Sequence, residues 1–163
     1  MLTPEEIRKR LGLQPLPAEG GYFRETYRSA LPLYSLAGGE RSAATAIYYL
    51  LAPGEFSALH RLPGDEIFHF YLGDPVEMLQ LTPDGSFRSV VMGSDLAAGM
   101  EPQWVVPGGV WQGCRLREGG RFALMGTSMS PGFDPADFEP GVRASLLSEY
   151  PGARDAILKL TRE

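Results

Sequence analysis

A chain of 163 residues, 44% hydrophobic and with net charge −5, is long enough to bury a core and too apolar to stay disordered. Its acidic balance argues against nucleic acid or an anionic membrane surface as a partner, since both select basic patches. The lone Cys114 excludes an internal disulfide, and no apolar run is long enough to span a bilayer, so no membrane association and a cytoplasmic location are expected.

Thr3-Pro4-Glu5-Glu6 opens a short helix. Thr3 caps it, Pro4 suits the first helical position and Glu6 completes a capping box. Ile7 and Leu11 give it an apolar stripe, and Gly12 ends it. The period then changes to that of strands. The stretches 22–29, 43–51, 56–60, 66–72, 75–82, 86–93, 103–106, 110–116 and 121–130 are short, rich in β-branched or aromatic residues, and bounded by Gly, Pro or Asp. Pro83-Asp84-Gly85 and Glu118-Gly119-Gly120 read as hairpin turns. No helical pattern interrupts the run, so an all-β antiparallel sandwich or barrel is expected over residues 20–130 of a single domain, 1–163. The tail 131–163 is a loop anchored by Phe133 and Phe138, then two short helices split by Pro151. Their Leu146, Leu147, Ile157, Leu158 and Leu160 would cover a sheet face.

The stretch 60–73, HRLPGDEIFHFYLG, holds both histidines, with Asp65 and Glu66 between them. Strand alternation puts Phe56, Ala58, His60 and Leu62 on one face, and Glu66, Phe68, Phe70 and Leu72 on one face of the next strand. A hairpin turning at Pro63-Gly64 would aim His60 and Glu66 into one apolar cavity, where burial shifts both groups. His69 falls on the opposite face, as an outer contact, unless a bulge at Asp65 turns it inward.

These motifs resemble those of the cupins, double-stranded β-helix (jelly-roll) barrels. His60, Glu66 and Gly73 match the spacing of the first cupin motif, and Pro107-Gly108-Gly109 followed by Gln112 matches the second. The segments 20–29, 60–75, 101–113 and 131–141 together are similar to the cupin-5 family of small proteins. The resemblance implies a jelly roll with a binding pocket, a homodimer, and a metal held by two further histidines. Leu62 and Gln112 stand where those histidines would be, so any metal set shrinks to His60, Glu66 and Gln112. No cofactor is therefore expected, and a divalent metal is disfavoured.

His60 is the candidate base and Glu66 its carboxylate partner, against the plainer reading of a satisfied core pair. Gln103 and Gln112 would read polar atoms of a ligand, and Trp111 would stack on it or sit in the core. Tyr22, Arg24 and Thr45 are strand residues that could reach the same cavity, with Arg24 clamping an anion; the alternative is a surface strand charge. Gly20-Gly21 and Gly108-Gly109 precede no helix and are turns rather than phosphate loops. The expected activity is binding of a small polar metabolite, with metal-independent isomerase or epimerase chemistry of a sugar or sugar nucleotide. The alternatives are a non-catalytic binding or sensing dimer and a metal-dependent oxygenase or isomerase with a degenerate ligand set. The segment 20–28 is similar to the N-terminal strand of jelly-roll sugar-nucleotide epimerases, at the level of fold alone.

Overall fold

Helix α1 (Pro4–Leu11) starts where Thr3 and Glu6 close a reciprocal cap: the Glu6 amide donates to Thr3 Oγ1 at 3.2 Å, and the Thr3 amide to Glu6 Oε2 at 2.8 Å. It stops at Gly12, whose φ of 64° suits glycine. The structure is a computed structural model describing residues 2–34 and 39–162.

Among the described residues thirteen strands follow: β1 (Gln14–Pro15), β2 (Tyr22–Arg28), β3 (Pro32–Tyr34), β4 (Glu40–Ser42), β5 (Thr45–Leu51), β6 (Phe56–Arg61), β7 (Glu66–Gly73), β8 (Val76–Leu81), β9 (Phe87–Met92), β10 (Gln103–Val106), β11 (Trp111–Leu116), β12 (Ala123–Met129) and β13 (Glu139–Pro140). All nine sequence-read strands are present. One sheet has the order β1-β2-β5-β12-β7-β10, the other β13-β6-β11-β8-β9, and β3-β4 forms a separate ribbon. The ladders within both sheets are antiparallel. The two sheets face each other as a jelly roll, the double-stranded β-helix that the sequence pointed to.

Alternation sorts the side chains. Tyr49, Phe68, Phe70, Met78, Cys114 and Met125 fill the space between the sheets. On the far side of the five-stranded sheet, α2 (Arg143–Glu149) and α3 (Arg154–Lys159) lay Leu146, Ile157 and Leu160 against Leu59, Leu79, Leu81 and Trp111. Each such side chain contributes about 1.5–3 kcal/mol by leaving water. Leu158, expected beneath this cover, is instead 39% exposed. On the far side of the six-stranded sheet, Ile7 of α1 joins Leu13, Leu50, Phe122 and Leu124.

Besides Leu72, which a register shift in β7 after Phe70 takes off the face of Glu66, Phe68 and Phe70 and leaves 39% exposed, two expectations about the 56–72 region change. First, β6 and β7 do not pair as a hairpin. β6 pairs with β11 and β13, and β7 with β12 and β10, so the two strands lie in opposite sheets. Second, Phe56 and His60 do not share a face. His60 is opposite Gln112 and Ser57 is opposite Cys114, so β6 carries a bulge between them. The bulge turns Ser57 and His60 both inward, while Phe56 packs outward with the helices. Gly113 makes it feasible: a Cβ there would sit 2.9 Å from the Ser57 carbonyl oxygen.

Candidate functional site

Glu19 enters the barrel from the loop between β1 and β2. The following Gly20 and Gly21 have φ of 111° and 71°, and a Cβ on Gly20 would lie 2.2 Å from the Phe56 carbonyl oxygen. Only glycine lets the loop press this close to β6. There the Ala58 amide donates to the Glu19 carbonyl at 2.8 Å, and the Tyr49 hydroxyl donates to the Gly20 carbonyl at 2.8 Å. The Glu19 carboxylate then accepts from Ser57 Oγ at 2.6 Å and lies 3.9 Å from His60 Nε2.

His60 is 2% exposed, and its Nδ1 lies 2.7 Å from the Ala58 carbonyl oxygen. A carbonyl only accepts, so Nδ1 carries the hydrogen and Nε2 is left to face Glu19. Phe138, in the loop after β12, stacks on the imidazole with ring centres 5.1 Å apart. Two further contacts hold that loop: Phe133 donates its amide to Thr45 Oγ1 at 2.9 Å, and Arg41 meets Asp137 at 3.0 Å.

Glu66 reaches in from the opposite sheet and accepts from Gln112 Nε2 at 2.5 Å. Burial is the main force pushing its carboxyl above the ordinary 4.5, and the nearby Glu19 charge adds to it. His60 and hydrogen bonds from Thr127 and Gln112 pull the other way. Gln112 is itself buried, and its Oε1 has no hydrogen-bond partner.

Glu19, Thr45, Glu66 and Phe138 border a cavity of about 300 Å³, whose lining does not include His60, Ser57 or Gln112. Leu16, Phe23, Ile47, Met129, Phe133 and Phe138 form apolar walls, with Glu19, Glu66, Thr45 and Thr127 as the polar portion. No Lys or Arg is among the described lining residues. Glu25 lines it too, but Arg28 holds that carboxylate through two bonds of 2.9 and 2.8 Å.

The structure brings His60, Glu66, Gln112 and Thr45 together. It places the other candidates elsewhere. Tyr22 and Arg24 lie on the opposite face of β2, where Arg8 covers the Tyr22 ring at 5.0 Å and Arg24 covers Tyr48 at 5.6 Å. His69 and Gln103 meet on the outer face of the six-stranded sheet: His69 Nδ1 is 3.2 Å from Gln103 Nε2, and its Nε2 is 2.9 Å from Ser128 Oγ. No bulge at Asp65 turns His69 inward, since β7 runs in register with β10 from Glu66 to His69. Trp111 packs under the C-terminal helices, with Arg61 4.4 Å above its ring. Sequence reasoning missed Glu19, Ser57, Thr127 and Phe138. For Glu19 the signal was the glycine pair beside it, read only as a turn.

The fold and this buried site define a jelly-roll barrel of the cupin type. The sequence pattern described as "Cupin superfamily (DUF985)" matches residues 5–140, and the chain belongs to that family. It is 34% identical to a structure titled "Hypothetical protein from Leishmania major", with a TM-score of 0.93 over 99% of this chain and 100% of that one. It is 33% identical over 132 residues to "Uncharacterized protein YML079W" of Saccharomyces cerevisiae, covering 73% of this chain and 66% of that protein's length. Oxalate decarboxylase of Bacillus subtilis shares the fold alone: 17% identity and a TM-score of 0.55, over 91% of this chain and 37% of that one.

The family resemblance raised the question of a metal. Leu62 is a buried alkyl group, and the Gln112 amide nitrogen is engaged by Glu66. Among the described residues no three His, Cys, Asp or Glu side chains converge to hold an ion. No described helix is long and apolar enough to cross a membrane.

Proposed function

We propose that the barrel binds a small organic molecule between its two sheets, and that His60 Nε2 exchanges a proton with it without a metal. The observation that carries this reading is the fixed imidazole. Its Nδ1–H is spent on a backbone carbonyl, which leaves Nε2 as the nitrogen able to take a proton, beside the cavity-lining Glu19 that would stabilise the imidazolium. Glu66, held by Gln112 and Thr127, is a second proton carrier on the facing sheet. Proton removal next to a carbonyl, and return to the other face or the neighbouring carbon, is isomerase or epimerase chemistry. Binding without turnover is favoured by one feature: no cationic side chain among the described lining residues meets a developing oxyanion.

The test is a fragment screen by ligand-observed NMR in D₂O. Fragments with an acidic C–H are expected to compete for one site and to gain carbon-bound deuterium, a gain lost in His60→Ala. Binding with no deuterium gain in the wild type leaves a binding module; no competition for a common site overturns the reading. The reading extends to a homodimer, supported by the outer face of the six-stranded sheet, where Tyr71 is 49% and Val105 44% exposed. Light scattering returning only a 17.8 kDa species would end that part.

A further inference from the structure

The polar groups of the site are nearly all acceptors. The hydrogen on His60 Nδ1 is spent on Ala58. Glu19 accepts from Ser57 through one oxygen and leaves the other 3.9 Å from His60 Nε2, while Glu66 accepts from Gln112 and Thr127. Gln112 Oε1, on a side chain 2% exposed, has no partner at all. The Thr127 hydroxyl is drawn to Glu66, so Thr45 alone keeps a hydroxyl hydrogen to give. A buried acceptor left without a donor costs about 1–3 kcal/mol.

Charge points the same way. Glu19 and Glu66 are both near the one imidazole of His60, and the described lining supplies no Lys or Arg. A buried charge needs a partner. An anionic guest, a sugar nucleotide included, would meet repulsion here. The remaining walls are hydrocarbon and aromatic, and a cavity of about 300 Å³ holds the equivalent of about ten water-sized groups. A divalent ion would answer the charge, but Ser57 and Gln112 already occupy one oxygen of each carboxylate, and no three His, Cys, Asp or Glu side chains converge among the described residues.

We propose that the guest is an organic cation: a protonated amine or amidinium head that donates to the Glu19 and Glu66 carboxylates, carried on an apolar body of about ten non-hydrogen atoms. This rests on the reading that the barrel is a small-molecule site.

Three probes that share one body test it: 2-phenylethylamine, 2-phenylethanol and 3-phenylpropanoate, titrated calorimetrically into the EDTA-treated full chain at pH 7. The amine is expected to bind at least tenfold more tightly than the alcohol, and the carboxylate not at all. Glu19→Gln and Glu66→Gln, made separately because either could disturb folding, are each expected to cut the amine's advantage over the alcohol tenfold. The proposal is overturned if the alcohol or the carboxylate matches the amine, or if the preference survives in both folded variants. It is also overturned if Zn²⁺ added alone binds in the barrel and the amine cannot displace it. Neutral fragments seated in the barrel while no amine enters would sink the cation and leave the binding reading standing. A barrel that accepts no fragment of any kind would sink both.

Discussion

His60 and His69 lie nine residues apart and end in opposite surroundings. His60 is sealed inside, one nitrogen tied to a carbonyl and the other beside a carboxylate. His69 sits half-buried on the outer sheet face, its nitrogens shared with Ser128 and Gln103. Neither difference comes from the imidazole itself. It comes from which sheet each strand joins and from one extra residue in β6. A titratable side chain acquires chemistry from the groups the backbone brings to it, and those groups come from distant parts of the chain: Glu19, Glu66 and Gln112 for one histidine, Gln103 and Ser128 for the other.

The contrast breaks most sharply in a pair of variants. His60→Ala should lower any proton-exchange rate on a bound fragment by on the order of 10²–10⁴-fold, the usual contribution of a general base. His69→Ala should leave that rate within twofold. Deuterium incorporation followed by NMR measures both, and an equal loss in the two variants would erase the distinction between inner and outer histidine.

How much of this was readable beforehand follows from what local pattern encodes. Alternation and turn residues fixed the nine longer strands, because each carries enough side chains to show a period of two. β1, β3, β4 and β13, two or three residues long, carry too few. Alternation also names faces without naming partners, so His60 and Glu66 were rightly turned inward but placed on one hairpin rather than across the barrel. The bulge left no local mark on β6; its trace is Gly113 on the neighbouring strand. Glu19 was hidden because a carboxylate in a turn usually faces water, and only tertiary contact with β6 draws it in. Arg24 and Tyr22 fail the opposite way: they are one residue out of phase with Phe23 and Glu25, which line the cavity.

Gly113→Ala attacks the bulge directly. The new Cβ would crowd Ser57 O at 2.9 Å and Leu59 N at 3.1 Å, and backbone yields poorly. A loss of about 1–3 kcal/mol is expected, typical of an overpacked interior, with the His60 ring resonances displaced and those of His69 unmoved. Urea titration and NMR read the two effects. Unchanged stability would mean that β6 holds its bulge without this close approach.

Glu66→Gln separates inner from outer surroundings through pH. The folded carboxyl is raised above 4.5, so between 4.5 and that raised value the folded state keeps a proton that the unfolded chain has released. Stability therefore declines as pH rises through this window, and the deficit persists above it. Glutamine carries no such charge and still accepts from Gln112. The variant should melt higher than the parent at pH 7, and the gap should close as pH falls to 4.5 and below. A gap that does not change with pH would show that the Glu66 charge is not strained by burial.

Ser128→Ala gives the smallest expected effect, and its smallness is the point. It removes the hydroxyl 2.9 Å from His69 Nε2 on a half-buried surface strand, where water can replace the lost bond. The change should stay within about 0.5 kcal/mol, and both the His60 resonances and fragment affinity should hold. A loss several times larger would mean that the outer face is dry in solution. Because the exposed Tyr71 and Val105 lie on that same face, the loss should then depend on protein concentration, as it would if a second copy covers the sheet. Melting Ser128→Ala at two concentrations a hundredfold apart therefore tests whether His69 belongs to a surface or to an interface.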